Sequence, residues 1–479
     1  NYEENEYWDT RTILGASGGK GTQSITQSGT LINEQTLSYN TRLGNHSIGA
    51  LVGNTLQRVI LKNVSATGTN FPNNAYTQIS SAATQTASQF TSESKLASFF
   101  SRIDYNYASK YYAEFIIRAD GSSRFGANNK WGYFPAIGAA WRISEENFLK
   151  GISSISNLKL RASYGITGNQ GGIDDYASQG LWTGGFGYSD AAGNNEGPGT
   201  APLQIANPDL KWEKTSQVSV GVDLGLFNNR INAEFNVYDK YTSDVLLLIA
   251  TPGSTGFNSY LTNYGEIRNS GFELSVSSVN IKAGNFTWKT DFNISRNKNV
   301  IENIPADIPF AGRDLIRLQK GKPMYSYWLY KQLYVDQKTG DAVFDDLNKD
   351  GKITAEDRQI IGSTWPKFFG GLNNSFTLGN FDLNVFLTYS YGNYVWNHNR
   401  MLGETGGTLD ANRVLLASQL DRWTTPGQIT NTPRLTTENY SRQENSRFFE
   451  DGSFIRLRSV ALGYTLPARI IRNAGFAKA

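Results

Sequence analysis

The clearest pattern of chemically useful residues lies in the segment 346–357. Oxygen donors occupy its first, third, fifth, seventh and twelfth positions: Asp346, Asn348, Asp350, the carbonyl of Lys352, and Asp357. Gly351 at the sixth position permits the sharp turn that such a loop needs. This spacing is typical of an EF-hand loop, in which the oxygens surround a Ca²⁺ ion. The sequence therefore predicts a structural Ca²⁺ site at these five residues, because a filled oxygen shell stiffens a loop and leaves no reactive water.

A second interpretation of the same segment stays open. Position twelve is Asp357 where an EF-hand has Glu, and this shorter arm resembles dockerin-type calcium loops, with weaker closure of the shell. The segment is also typical of an Asx/Gly turn before a capped helix, with Thr354 as the N-cap and Asp357 three residues later. That interpretation accounts for Thr354 and Asp357 but not for the Asp, Asn, Asp spacing before Gly351.

Composition argues against most other chemistry. The chain has no Cys, which excludes disulfides, Cys-ligated zinc and thiol catalysis, and its only imidazoles are His46 and His398. Without a convergent set of catalytic side chains, the sequence predicts that the protein is not an enzyme. The net charge of +3 is small for 479 residues and gives no reason to expect nucleic acid as a partner.

The elements that must position these residues are predicted to be long β-strands. In the strand that begins near Leu96, alternate residues fall on two faces: Ala97, Phe99, Ile103, Tyr105 and Tyr107 on one, and Ser98, Arg102, Asp104 and Asn106 on the other. About thirteen such strands follow along the chain without a linker, so residues 1–479 are predicted to form one unit. Strands of this length with one charged face and aromatic ends are typical of a transmembrane antiparallel up-and-down β-barrel. The aromatic residues near the strand ends are expected at the two membrane interfaces: Tyr105, Tyr107, Tyr111, Tyr112, Trp131, Tyr133, Trp141 and Tyr164.

The lengths of the predicted connections support a barrel. Short ones, with a medium one at 144–157, alternate along the chain with long ones at about 58–95, 121–130, 168–213, 242–268, 297–366 and 393–452. In outer-membrane barrels, short periplasmic turns alternate with long extracellular loops. A mean hydropathy of -0.42 agrees with this, because only alternate wall residues contact lipid. For any single strand, a half-exposed soluble sheet remains an alternative.

An ordered set of motifs resembles the SusC/RagA family of TonB-dependent outer-membrane transporters. The motifs are Arg118-Ala-Asp-Gly-Ser-Ser-Arg-Phe-Gly126, Lys130-Trp-Gly-Tyr-Phe-Pro135, Leu158-Lys-Leu-Arg-Ala-Ser-Tyr-Gly165, Asn207-Pro-Asp-Leu-Lys-Trp-Glu-Lys214, Arg268-Asn-Ser-Gly-Phe-Glu273 and Glu450-Asp-Gly-Ser-Phe-Ile-Arg-Leu-Arg458. The resemblance extends over nearly the whole chain.

This resemblance implies the carboxy-terminal part of a 22-stranded barrel, without a signal peptide, a plug domain or the last two strands. It implies import of a nutrient across the bacterial outer membrane, an oligosaccharide more than an oligopeptide. The implied partners are a SusD-like surface lipoprotein, the TonB complex acting through a plug segment, and outer-membrane lipid. A surface barrel for binding or adhesion without transport is the alternative function, and a secreted glycan-binding sandwich is a further one.

Overall fold

The computed structural model describes residues 2–9, 18–189, 195–310, 313–404, 415–435 and 444–466. Within them the strands are β1 (Tyr2–Trp8), β2 (Lys20–Leu43), β3 (His46–Thr69), β4 (Thr84–Tyr107), β5 (Tyr111–Ser122), β6 (Trp131–Arg142), β7 (Ile155–Asn169), β8 (Leu181–Ser189), β9 (Asn195–Gln204), β10 (Glu213–Leu226), β11 (Ile231–Ala250), β12 (Ser259–Ala283), β13 (Phe286–Asn303), β14 (Ile308–Phe310), β15 (Arg313–Leu318), β16 (Ser326–Tyr330), β17 (Gln332–Val335), β18 (Ala342–Phe344), β19 (Arg358–Ser363), β20 (Phe368–Leu378), β21 (Phe381–Tyr391), β22 (Tyr394–Trp396), β23 (Phe449–Asp451) and β24 (Phe454–Tyr464). The helical segments are α1 (His398–Glu404) and single 3₁₀ turns at Ile79–Ser81, Ile143–Glu145, Gly253–Thr255, Ala355–Asp357, Ala417–Asp421 and Ser446–Phe448. None of the helices in these ranges is long and apolar enough to cross a membrane.

One large antiparallel sheet forms the wall of the protein. Among the described residues it has fourteen strands, in the order β1-β2-β3-β4-β5-β6-β7-β10-β11-β12-β13-β20-β21-β24. Each strand pairs with its predecessor and its successor in the sheet, so the chain runs up and down along the wall. This topology confirms the predicted all-β, up-and-down architecture.

The strands extend further than the alternation of apolar residues predicted. The expected loop at 58–95 is mostly strand, since β3 continues to Thr69 and β4 begins at Thr84, and the expected loop at 242–268 shrinks to 251–258. Strand β1 pairs with β2 from Lys20 to Thr26, at the end of β2 that lies farthest from the turn to β3. Apolar alternation is needed only where one face meets lipid, whereas backbone pairing continues beyond it, so the sequence pattern stops before the ladder does.

The alternation of connection lengths has one exception. The connection 143–154 joins β6 to β7 on the side of the short turns, yet it is longer than the connection 123–130 on the opposite side. This connection contains a 3₁₀ turn and a series of hydrogen-bonded turns. In the first, the N–H group of Glu146 donates to the carbonyl of Ile143, and in the last, that of Ile155 donates to the carbonyl of Ile152. Below, the end of the wall with the short connections is called the turn end, and the opposite end the loop end.

The outer face of β2 to β6 carries an apolar band between two rows of residues. The row at the turn end is Leu43, His46, Tyr107, Tyr111 and Trp141, each opposite the next in register. The row at the loop end is Asn33, Leu56, Ala97, Gly121 and Trp131. Phe115 and Ile137 lie between them with nearly half of their surface exposed or more. A band of about ten residues along tilted strands matches the roughly 25 Å apolar belt of membrane barrels.

Aromatic side chains mark both edges of this band, as the sequence predicted, with one correction. Tyr107 stacks on Tyr111, and Tyr111 on Trp141, with ring centroids 6.3 and 6.4 Å apart, and at the other edge Trp131 stacks on Phe99 at 6.1 Å. Tyr112, which was expected among these interfacial aromatics, lies on the inner face instead. Its ring lies beneath Arg142 and Lys159, because it is one residue out of phase with Tyr111.

In the described part of the chain, buried cores form where long connections fold against the wall or against each other. One core lies inside the loop end and contains Phe125, Phe134, Ile173, Ala177, Leu210 and Trp212. A second lies in the lobe built by residues 304–310, 313–367, 392–404, 415–435 and 444–453, where Leu329 and Phe448 are fully buried. In that lobe β14-β15-β16-β19, β17-β18 and β22-β23 form small sheets.

Candidate functional site

A row of polar residues and glycines crosses the inner face of the wall from β2 to β7 and on to β10. Asn40, Gly49, Asp104, Glu114, Gly138, Ser163 and Ser219 lie opposite one another on seven successive strands. A cavity of about 760 Å³ opens over this row, and its lining includes Asp104, Glu114, Arg161 and Asn236. The row places hydroxyl, amide and carboxylate groups along one continuous surface.

Charged side chains on this face are held in ion pairs within a strand and between neighbouring strands. Arg102 contacts Asp104 at 2.7 Å and Glu114 at 3.1 Å. Arg161 contacts Asp223 at 2.6 Å and donates to the Oδ1 of Asn236 at 3.1 Å. Because carboxylates on the same or a neighbouring strand pair with each guanidinium, the surface offers hydrogen-bonding groups with little net charge at these positions.

Glycines let these side chains lie flat against the wall. A Cβ on Gly221 would lie 3.2 Å from a guanidinium nitrogen of Arg161, so a larger residue there would obstruct the reach of Arg161 across β10 to Asn236. Higher on the same face, a Cβ on Gly53 would lie 2.6 Å from the ring of Phe100, over which Arg118 stacks at 5.6 Å. The inner surface is therefore thin and leaves the lumen open.

The connection between β7 and β10, described at 170–189 and 195–212, folds inward and covers the loop end of this surface. Arg124 pairs with Asp175 at 2.8 Å, and the Nε1 of Trp212 donates to the carbonyl of Lys130 at 3.0 Å. Phe125 and Trp212 pack with ring centroids 4.6 Å apart. The motifs at 118–126 and 207–214 thus contain the residues that fasten this connection to the wall, which explains why they occur together.

The segment 346–357 lies in the lobe, between β18 and β19. Asp346 accepts backbone N–H bonds from Lys349 at 2.7 Å and from Gly351 at 2.9 Å, Asn348 accepts one from Asp350, and Asp350 accepts one from Lys352. Asp357 is fully buried and accepts from Leu347 and Thr354. The structure therefore contains the capped turn that the alternative interpretation predicted: Thr354 and Asp357 form a capping box around Ala355–Asp357.

These bonds also account for the Asp, Asn, Asp spacing that a capped turn alone left unexplained. The backbone N–H group of Thr354 has the largest effect on the pKa of Asp357 and lowers it. Burial raises this pKa, but the N–H groups of Leu347 and Asn348 lower it further, so the net result is a lowered pKa. Across the described ranges, no three His, Cys, Asp or Glu side chains gather around one point. The donor set still fits a hard cation in chemistry, since Asp346, Asn348 and Asp350 supply oxygens around Gly351, which has a φ of +76°.

Comparison with known proteins identifies the wall. A profile of the family described as "TonB dependent receptor-like, beta-barrel" matches residues 1–425. The chain belongs to this family. Its receptors lie in the bacterial outer membrane, which confirms the predicted location, and they are not enzymes, as composition also predicted. With this location, the turn end corresponds to the periplasm and the loop end to the exterior.

Individual relatives extend the match beyond the family profile. The TonB-dependent receptor P3 of Formosa agariphila is 33% identical over 503 residues, covering 99% of this chain and 49% of the relative. The TonB-dependent receptor SusC of Bacteroides thetaiotaomicron is 31% identical over 394 residues, covering 78% of this chain and 38% of the relative. The solved RagAB peptide transporter has a TM-score of 0.82 at 26% identity, covering 94% of this chain and 51% of that chain. The resemblance to SusC and RagA is thereby confirmed, and this TonB-dependent receptor barrel spans about half the length of the curated relatives it matches.

Proposed function

We propose that this barrel forms part of a transporter that imports a nutrient through the outer membrane with energy from TonB and together with a surface lipoprotein. Its family membership and its likeness to SusC and to the RagAB peptide transporter support the proposal. The observation that carries it is the polar inner wall, with a cavity of about 760 Å³ on the side facing away from lipid. A barrel used only for adhesion needs no continuous polar surface of this kind through the membrane.

The chemistry of this wall favours an oligosaccharide as the cargo. Arg102 and Arg161 are neutralised by carboxylates on the wall itself, and amide and hydroxyl groups surround them. Neutral, hydroxyl-rich molecules exchange hydrogen bonds with such groups without having to separate charges. A peptide remains the competing cargo, since the RagAB structure is that of a peptide transporter.

Uptake by cells tests the proposal. A strain lacking the gene is complemented with the full-length protein, and accumulation of labelled neutral oligosaccharides is compared with that of labelled oligopeptides. We expect oligosaccharide uptake that stops when the proton gradient is collapsed. The variants Arg161→Gln and Asn236→Ala should lower it several-fold, while Val220→Ala on the outer face of the neighbouring strand should not.

Three results would count against this reading. Uptake that persists without a proton gradient contradicts coupling to TonB, and uptake of peptides alone contradicts the cargo. Surface binding without accumulation identifies the barrel as an adhesion or binding protein. Heat-dependent gel mobility of each variant reports whether the barrel has folded.

We further propose that the segment 346–357 binds Ca²⁺ as a structural ion. Asp346, Asn348, Asp350, the carbonyl of Lys352 and Asp357 would supply its ligands, and an ion bound there supplies only rigidity. Support comes from the ordered oxygen spacing and from the way Asp346 already draws the loop around itself through Lys349 and Gly351.

Metal content and protease resistance test this second proposal. We expect one Ca²⁺ per purified protein at this segment and faster cleavage of the lobe after chelation, both lost in Asp346→Asn. The matched control is Asp336→Asn in the β17–β18 turn, where the carboxylate accepts N–H bonds from Lys338 and Thr339. Equal calcium content and equal cleavage in wild type and Asp346→Asn would leave the capped turn as the whole explanation.

A further inference from the structure

A groove on the outer face opens at the exterior edge of the apolar band. Its volume is about 740 Å³, and its floor is formed by Leu31, Leu56, Ala97, Gly121 and Trp131. Gly121 leaves this floor open for the indole of Trp131, since a Cβ there would lie 2.8 Å from the ring. Four of these five residues, all but Leu31, belong to the row that ends the band, so the groove lies where acyl chains meet head groups.

Cations line the side of this groove that lies toward the cell exterior. Arg58, Lys95 and Lys130 line it. Arg58 and Lys95 share one carboxylate, Glu93, at 2.9 Å each, and they remain 50% and 65% exposed. No ion pair joins Lys130 to another of the described residues. Three cations against one carboxylate leave an excess of positive charge directly above an apolar surface.

A second groove, five strands further along the wall, repeats this arrangement. Its volume is about 610 Å³, with Val218, Val220, Val237 and Phe272 among the apolar lining residues. Arg268, Arg296 and Lys298 line the same groove, and Arg268 pairs with Asp239 at 2.9 Å. Val218 is in register with Tyr164, and Tyr164 with Ile137 of the outer band, so this groove also faces outward. Again three cations and one carboxylate adjoin an apolar surface.

We propose that these two grooves bind an acylated, phosphorylated glycolipid of the outer leaflet, with acyl chains on the apolar floors and phosphate groups at the cations. An anionic amphiphile matches both halves of each groove, whereas a neutral lipid leaves the excess positive charge of each groove uncompensated. The sites face away from the lumen and do not depend on the proposed transport. They bind lipids that surround the barrel in its membrane.

Binding of purified lipid A, compared with its dephosphorylated form, tests the proposal on the full-length protein in nanodiscs. The test variant combines Lys95→Gln, Lys130→Gln, Arg296→Gln and Lys298→Gln, which leaves the Arg58–Glu93 and Arg268–Asp239 pairs intact. We expect lipid A binding to weaken at least about tenfold and binding of the dephosphorylated form to stay unchanged, because charge-assisted bonds to phosphate are among the strong ones. The effect should shrink as salt rises.

A control on the opposite face of the wall separates this site from general electrostatics. Lys159→Gln with Lys240→Gln removes two cations from the inner face, where they stack on Tyr112 and Tyr238, and should leave lipid A binding unchanged. Unchanged binding in the four-substitution variant overturns the proposal. So does equal binding of the phosphorylated and dephosphorylated lipids by wild type. A variant that loses a bound second copy, measured by native mass spectrometry, without losing lipid A would show that the grooves are protein interfaces.

Discussion

Glu146 connects the aromatic row at the periplasmic edge to the connection beneath it. Its carboxylate accepts hydrogen bonds from the Tyr111 hydroxyl at 2.6 Å, the Lys110 ammonium at 3.0 Å and the Trp141 indole at 3.2 Å. The Tyr111 bond, followed by those of Lys110 and Trp141, lowers the pKa of Glu146 to about 2. One side chain thereby fixes two stacked rings at the height where the wall leaves the membrane.

This pKa makes the contribution of Glu146 dependent on pH in a defined direction. The carboxylate is charged in the folded protein down to about pH 2, whereas the unfolded group titrates near 4.5, so its stabilisation is complete above 4.5 and is lost as pH falls to about 2. We expect Glu146→Gln to unfold at a lower temperature than wild type at pH 7 and at the same temperature below pH 2. Thermal unfolding in detergent, followed by gel mobility, measures the difference.

The neighbouring carboxylate provides the control for Glu146. Glu145 is exposed, and Glu145→Gln should leave the unfolding temperature unchanged at every pH. If Glu146→Gln and Glu145→Gln behave alike at pH 7, the bonds to Tyr111, Lys110 and Trp141 do not stabilise the barrel.

At the scale of elements, aromatic rings packed over glycines join the wall to its inward-folded connection. Phe134 lies over Gly132 on its own strand β6 and over Gly168 on β7, and a Cβ at either glycine would overlap its ring. The ring also packs edge-on against Trp212, with centroids 5.5 Å apart. Two strands and one loop therefore meet at a single side chain.

Gly168→Val should disturb this meeting point. The new side chain displaces Phe134, and overpacking of this kind costs about 1–3 kcal/mol. We expect a lower unfolding temperature and faster proteolysis of the connection 170–212. Phe134→Leu combined with Gly168→Val should restore part of both, because the smaller side chain makes room.

Gly138→Ala on β6 is a control for the loss of a strand glycine, since nothing lies within 4 Å of the position its Cβ would take. It should have little effect on unfolding or proteolysis. A loss in Gly138→Ala as large as that in Gly168→Val would mean that strand glycines matter for backbone reasons and not for Phe134.

The sequence predicted the strands well where lipid imposes a pattern and poorly elsewhere. Ala97, Phe99 and Ile103 alternate with Ser98 and Arg102 because one face must be apolar, and the structure confirms those faces. Beyond Lys95 both faces are wet, so the continuation of β4 to Thr84 left no apolar signal. The sequence pattern did not single out Lys95 and Arg58 for a related reason. A cation on the same face as apolar residues indicates a binding site only when a neighbouring strand places a second cation beside it.

At the scale of the whole molecule, the two faces of one sheet have opposite partners. The outer face presents Phe115 and Ile117 to the membrane, and the inner face presents Glu114 and Ser163 to a polar lumen, with adjacent residues of β5 serving opposite sides. Among the described residues, the small sheets and the lobe lie at the exterior end. A probe attached to β5 should therefore contact lipid at odd-numbered positions and water at even-numbered positions.

Spin labels can measure this parity directly, because the chain has no cysteine of its own. The full-length protein, in a background free of other cysteines, carries one label at Phe115→Cys, Ile117→Cys, Glu114→Cys or Ser163→Cys in liposomes. Oxygen concentrates in the acyl region, whereas a hydrophilic nickel chelate stays in water, so we expect the first two labels to collide mainly with oxygen and the last two with nickel. Arg58→Cys, beyond the band on the outer face, should respond to nickel and thus separate depth from sidedness. Equal oxygen response at Phe115 and Glu114 would mean that both faces contact the same medium, which is incompatible with a membrane wall around a lumen.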